Sequence, residues 1–254
     1  MCGMQIAMTH GILAGTVHYP AADDADIEAY LAVPQNDAAR GGLVLIHHLP
    51  GYDEATREFA RTFAVHGYNA VVPNLYSREG GPGISPEDAA AAVRADGGVP
   101  DERLVADVGA AAQYLRGLST ANGKIGVIGY CSGGRQALLA ACGLELQAAV
   151  DNYGAFVMSD SPAGAGLRAT SLEDRLPELS CPLLGNFGGD DTHPSPQETA
   201  RLAAALDKLG KTYDFKTYEG AGHAFFNVNR VAYRAEAAMD AWDRIFEFYG
   251  EHLS

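Results

Sequence analysis

Lys124-Ile125-Gly126-Val127-Ile128 is an apolar, β-rich run, and it leads into Gly129-Tyr130-Cys131-Ser132-Gly133-Gly134. Arg135-Gln136-Ala137-Leu138-Leu139-Ala140-Ala141 follows with helical character. Strand, Gly-x-nucleophile-x-Gly turn and helix together make the layout of a nucleophile elbow. The turn holds its central residue in a strained backbone conformation, and a β-carbon at Gly129 or Gly133 would collide with the neighbouring strand and helix. The helix N-terminus behind Cys131 supplies partial positive charge that favours a thiolate. The competing reading is a core cysteine at an ordinary strand-to-helix turn. Ser132 lies one place past the apex and faces away, so it is not read as the nucleophile.

Outward from this run, apolar strands alternate with helical stretches. Gly42 to His47 and Tyr68 to Pro73 are continuous apolar runs, as expected of strands covered on both faces. Further strands are read at Gln147–Tyr153, Pro182–Phe187 and Thr212–Tyr218. Helices are read at Asp53–His66, after the Ser85-Pro86 cap, at Asp101–Leu118, at Pro196–Leu209 and at Val231–Tyr249. Residues 5–9, 14–19 and 27–33 read as short strands, so residues 1–35 are expected to add antiparallel strands at the N-terminus. The sum predicts an α/β fold with a mostly parallel, doubly wound sheet, helices on both faces and a single domain over 1–254. Residues 157–180 lack periodicity and are expected to form a lid or surface loop.

The 254 residues are 47% hydrophobic and 20% charged, an ordinary globular composition. Formal net charge is -14, from 18 basic and 32 acidic residues, which disfavours nucleic acid and anionic membranes as partners. No run approaches the length of a membrane span, and the N-terminus lacks a signal-peptide pattern, so a cytoplasmic location is expected. Cys2, Cys131, Cys142 and Cys181 are scattered, which predicts neither a disulfide framework nor a structural metal site. A metal cluster of His47, His48, Asp191 and His193 is disfavoured because adjacent strand residues point to opposite faces. No metal or cofactor is expected.

A cysteine nucleophile needs a base and a group that orients the base. Past Cys131 two strand ends supply them. Phe187-Gly188-Gly189-Asp190-Asp191 places a carboxylate after one strand, and Glu219-Gly220-Ala221-Gly222-His223 places an imidazole after the next. Nucleophile, acid and histidine in that order, each at a strand end, form a catalytic triad pattern. The residues alone leave Asp190 and Asp191 both open as the acid. The elbow rule gives one oxyanion donor, the backbone N–H of Ser132. The second is expected from the loop after His47-His48, where Pro50 has no N–H to offer.

Four motifs together, Gly129–Gly134, Phe187–Asp191, Tyr218–Phe225 and Val71–Arg78, resemble the dienelactone hydrolase family. The resemblance runs from about residue 25 to the C-terminus. It implies an α/β-hydrolase fold and lactone or ester cleavage by a Cys-Asp-His triad. It selects Asp191 over Asp190, matches Cys131 and His223 to the nucleophile and base, and points to Leu49 as the second oxyanion donor. It also marks His48, Arg78 and Asn227 as substrate-binding positions, to which Tyr130 is added as a residue read to contact substrate. His48 stands where members best known for dienelactone cleavage carry a glutamate, and Asn227 where they carry a carboxylate-binding arginine. With one of two anion contacts gone, a less charged ester or lactone is the expected substrate.

The expected chemistry is attack of the Cys131 thiolate on an ester carbonyl, a thioester, and its hydrolysis by water activated by His223. Tyr76, Phe156 and Phe225 join Tyr130 as expected apolar walls. His48 either gives Cys131 a second imidazole neighbour or only packs against its loop. The rival reading is a thiol redox or sensing protein, which needs a resolving thiol.

Overall fold

The computed structural model describes residues 11–35, 38, 40–49, 51–80, 84–163 and 167–254. The expected strand at 5–9, Cys2, Pro50 and most of the loop at 80–83 lie outside the described residues. Eight strands form one sheet: β1 (Ile12–Pro20), β2 (Asp26–Pro34), β3 (Arg40–Ile46), β4 (Asn69–Pro73), β5 (Ala121–Tyr130), β6 (Ala148–Asn152), β7 (Leu183–Gly188) and β8 (Tyr213–Tyr218). Their order is β1-β2-β4-β3-β5-β6-β7-β8. The pairs from β4 to β8 are parallel, while β1 and β2 run antiparallel at one edge.

Side-chain alternation along the central strands sends neighbouring residues to opposite cores. Val44 and Ile46 of β3 join one apolar cluster, and Leu43 and Leu45 join the other. The first cluster is covered by α2 (Pro86–Ala95), α3 (Asp101–Arg116), α4 (Ser132–Gly143) and α5 (Pro196–Lys208). The second is covered by α1 (Glu54–Val65) and α6 (Ala235–Leu253). Strands enclosed on both faces account for the unbroken apolar runs of β3, β4 and β6. On the α1/α6 side, Trp242 stacks on Phe246 and meets Phe59, Phe63 and Phe226 edge-on.

One boundary is corrected, and the two alternatives for residues 157–180 are narrowed. The closing helix begins at Ala235 rather than Val231. Tyr233 N–H bonds back to Arg230 O and Arg234 N–H to Phe225 O, which holds residues before 235 in turns. The segment 157–180 contains a short 3-10 helix (Glu173–Glu178) and packs Val157, Met158, Leu172 and Leu176 into the α2–α5 core. None of its described residues borders the cavity over Cys131, so they form no lid there. Among the described residues, no helix is long and apolar enough to cross a membrane.

Candidate active site

The sheet reverses its winding direction between β3 and β5, and a crevice at the carboxyl ends of strands is expected at such a point. Cys131 sits there, between β5 and α4, with φ 60° and ψ -125°. For a non-glycine residue this conformation costs about 1–3 kcal/mol and persists only when its surroundings enforce it. They do. Cys131 N–H donates to Asn152 O at 3.0 Å, and Gly134 N–H donates to Cys131 O at 2.9 Å. A β-carbon at Gly129 would lie 1.9 Å from Gly133 O, and one at Gly133 would lie 2.4 Å from Ile46 O. Both glycines are therefore required by close approach of backbone.

A buried polar chain braces the turn from behind. Asn152 Nδ2 donates to Gly129 O at 3.2 Å, Asn186 Nδ2 to Asn152 Oδ1 at 2.9 Å, and Arg244 Nη1 to Asn186 Oδ1 at 2.9 Å. No sequence motif announced these residues.

The loop after β8 brings His223 over the elbow. Its Nδ1–H donates to Asp191 Oδ2 at 2.8 Å, and the other carboxylate oxygen accepts from His193 N–H at 2.9 Å. The same loop carries Ala224 with φ 62°. Burial pulls the His223 ring towards neutrality, but hydrogen bonds to Asp191 and to the Cys131 side chain, with their charges, push its pKa up to about 10. Asp190 is not the histidine's partner; its N–H bonds to Ala221 O at 2.9 Å.

Cys131 and His223 open into one cavity of about 480 Å³. His48, Tyr130 and Asn227 line it, and Ala55, Phe59, Tyr153, Ala224, Arg230, Val231 and Ala232 complete it. Tyr153 meets the His223 ring edge-on at 5.1 Å. Arg230, whose guanidinium makes no ion pair among the described residues, is exposed at the rim. Ser132 begins α4, so its N–H is one of the helix's free N-terminal donors behind the sulfur. Leu49 follows His48, and its carbonyl accepts from the Tyr76 hydroxyl at 2.8 Å.

Arg78 does not reach the cavity. Its guanidinium clamps Asp107, which is fully buried, with contacts of 2.8 and 2.9 Å, and Asp23 at 2.7 and 3.1 Å. Tyr76, Phe156 and Phe225 also fall outside the lining: Tyr76 packs edge-on to His47 at 4.7 Å, Phe156 lies against His193, and Phe225 sits behind Tyr153. Cys142 and Cys181 are buried in the core, where burial pushes their thiols up to about 11 and about 12. Neither is placed to resolve an oxidised Cys131. No group of three or more His, Cys, Asp or Glu side chains suited to a metal ion occurs among the described residues.

A doubly wound sheet with a nucleophile elbow at its switch point is the architecture of the α/β-hydrolases. The model of the dienelactone hydrolase family matches residues 27–253, and the chain belongs to that family. A relative from Methylorubrum extorquens, provisionally named a carboxymethylenebutenolidase, is 32% identical over 245 residues, covering 96% of this chain and 82% of the relative. A Bradyrhizobium protein provisionally named a 2-oxo-3-(5-oxofuran-2-ylidene)propanoate lactonase is 28% identical over 227 residues, 89% of each chain. A crystal structure from Klebsiella pneumoniae, provisionally described as a dienelactone hydrolase, superposes with a TM-score of 0.83 at 28% identity, covering 95% of this chain and 100% of that one.

Proposed function

We propose that this member of the family hydrolyses carboxylic esters or lactones through a thioester on Cys131. The observation that carries the reading is the coincidence of three features at one cavity: a cysteine held at φ 60° on a helix N-terminus, His223 on the same cavity wall, and Asp191 holding that ring at 2.8 Å. His223 and Asp191 maintain the thiolate, which attacks the substrate carbonyl. The developing oxyanion rests on the N–H groups of Ser132 and Leu49, each worth about 3 kcal/mol in the transition state. The C–O bond breaks, and water then cleaves the thioester.

The aromatic and aliphatic lining suits a substrate with an apolar body, and Arg230 leaves room at the rim for one anionic group. A panel of neutral and carboxylate-bearing esters and lactones, run on wild type and Cys131→Ala, tests the reading. Cys131→Ala should lose turnover of every substrate, with an acylated Cys131 trapped by intact-mass measurement in wild type. Equal turnover by the variant would overturn it.

A further inference from the structure

One pair of ionisable side chains beside the sulfur has no task in this scheme. His48 lines the cavity, and its Nε2 lies 3.1 Å from Asp53 Oδ2. Asp53 is itself fixed. It is the N-cap of α1, and its Oδ1 accepts from the Thr56 N–H at 3.0 Å and the Thr56 hydroxyl at 2.9 Å. In the sheet order β5 lies between β3 and β8. His48 at the end of β3 and His223 beyond β8 thus join the wall of the Cys131 cavity from strands on opposite sides of β5. Two carboxylate–imidazole pairs border the cavity that Cys131 lines.

They are not equivalent. His223 is hydrogen-bonded to Asp191, and Asp191 and Cys131 together push its pKa up. His48 touches a carboxylate with one nitrogen and has the cavity on its other side. Its neighbour His47 is turned into the protein with both ring nitrogens bonded, and the remaining ionisable groups on the cavity wall are Cys131, His223, Tyr130, Tyr153 and Arg230.

Building on the ester hydrolase reading, we propose that His48, oriented by Asp53, carries the proton between leaving group and water. With its Nε2 edge held beside the Asp53 carboxylate by the ion-pair contact, protonated His48 gives its Nδ1 proton to the leaving oxygen as the C–O bond breaks. Alcohol departs, the acyl group stays on sulfur, and His48 is left neutral. Its Nδ1 then takes a proton from water as the water oxygen bonds to the carbonyl carbon. The C–S bond breaks, the thiolate returns beside protonated His223, and the carboxylic acid leaves. Each turnover consumes one water and restores every group. His48 is then a catalytic residue and Asp53 a positioning one.

Leaving-group dependence tests this. Nitrophenolate departs without a proton; an alkoxide does not. kcat/KM, which reports steps up to thioester formation, is measured for ethyl butyrate and p-nitrophenyl butyrate with wild type, His48→Gln, Asp53→Asn and Cys131→Ala. General-acid loss is typically about 100-fold or more. His48→Gln should therefore lower the ethyl ester by about that factor and the nitrophenyl ester at least about tenfold less. It should also accumulate acylated Cys131 during nitrophenyl ester turnover. Asp53→Asn keeps a competent helix cap and should show the same selectivity, weakened. Equal losses on both esters would mark His48 as structural and overturn the proposal, as would no loss on either. Retained activity in Cys131→Ala would instead remove the underlying ester hydrolase reading.

Discussion

The ring of His47 donates from Nδ1 to the carbonyl oxygen of His48 at 3.0 Å. That carbonyl shares a rigid peptide plane with the N–H of Leu49, the proposed oxyanion donor. Leu75 N–H donates to the other nitrogen of His47 at 3.2 Å, so the ring is a neutral Nδ1–H tautomer locked at both ends. A side chain outside the cavity lining thereby fixes the peptide plane of that proposed donor.

Replacing His47 with Phe keeps the buried ring and removes both hydrogen bonds. Outright loss of an oxyanion donor costs 10²–10³ in kcat, and misorienting one should cost roughly tenfold, with KM changed much less. Steady-state kinetics check this; a change in KM alone would contradict it. The same variant has a stability signature. Burial pushes the His47 pKa down to about 4, against about 6.5 in the unfolded chain. The unfolded state therefore binds the extra proton between those values, and wild-type stability falls as pH drops through that window, by roughly 3 kcal/mol from this group. Denaturant midpoints at pH 7 and 4.5 should move further apart in wild type than in His47→Phe.

Asp191→Asn removes the strongest of the groups that raise the His223 pKa. The ring, which titrates at about 10 in wild type, should shift down towards the ordinary histidine range, read by NMR of its ring protons. Loss of the orienting carboxylate should lower kcat by at least about a hundredfold. A histidine titration unmoved by the substitution would refute the coupling.

Arg230, and not the Arg78 expected from sequence, stands on the cavity wall. Arg230→Glu should raise the KM ratio of a carboxylate-bearing ester to its neutral analogue by about tenfold at low salt, with the effect shrinking as salt screens it. Arg78→Met should leave that ratio alone and instead destabilise the fold by about 3–5 kcal/mol, because Asp107 keeps a buried charge without its partner. Matched ester kinetics and thermal melts separate the two.

Glycine substitutions should divide sharply by site. Gly129→Ala drives a β-carbon into Gly133 O, which neither backbone segment can yield, and should abolish folding or activity. Gly250 lies in α6 with nothing near its missing β-carbon, and Gly250→Ala should stabilise by about 1 kcal/mol. Melting temperatures of the two variants give the answer.

The elbow, the strand-end acid and histidine, and the alternation of β and α were legible because each depends on short-range spacing. Strand register then carries those residues to one end of the sheet. Arg78 was not legible: its partner Asp107 lies on α3, 29 residues away, and only tertiary packing reveals that the guanidinium is already engaged. Arg230, Val231 and Ala232 were hidden for a different reason. Val231 and Ala232 fit the apolar period of the following helix, but backbone bonds to Phe225 and Arg230 hold the segment in turns against the cavity. Tyr153, with φ 45° just past β6, belongs to no motif and was missed altogether.

The aromatic cluster beneath α6 has an optical consequence. Trp242 is the chain's single indole, and it lies 5.5 Å from Phe59, which faces the cavity. An occupant pressing on Phe59 should alter the emission of a lone chromophore, so the molecule carries its own gauge of occupancy. Fluorescence titration of Cys131→Ala with an uncleaved ester should follow binding without a label, and Phe59→Ala should blunt the signal.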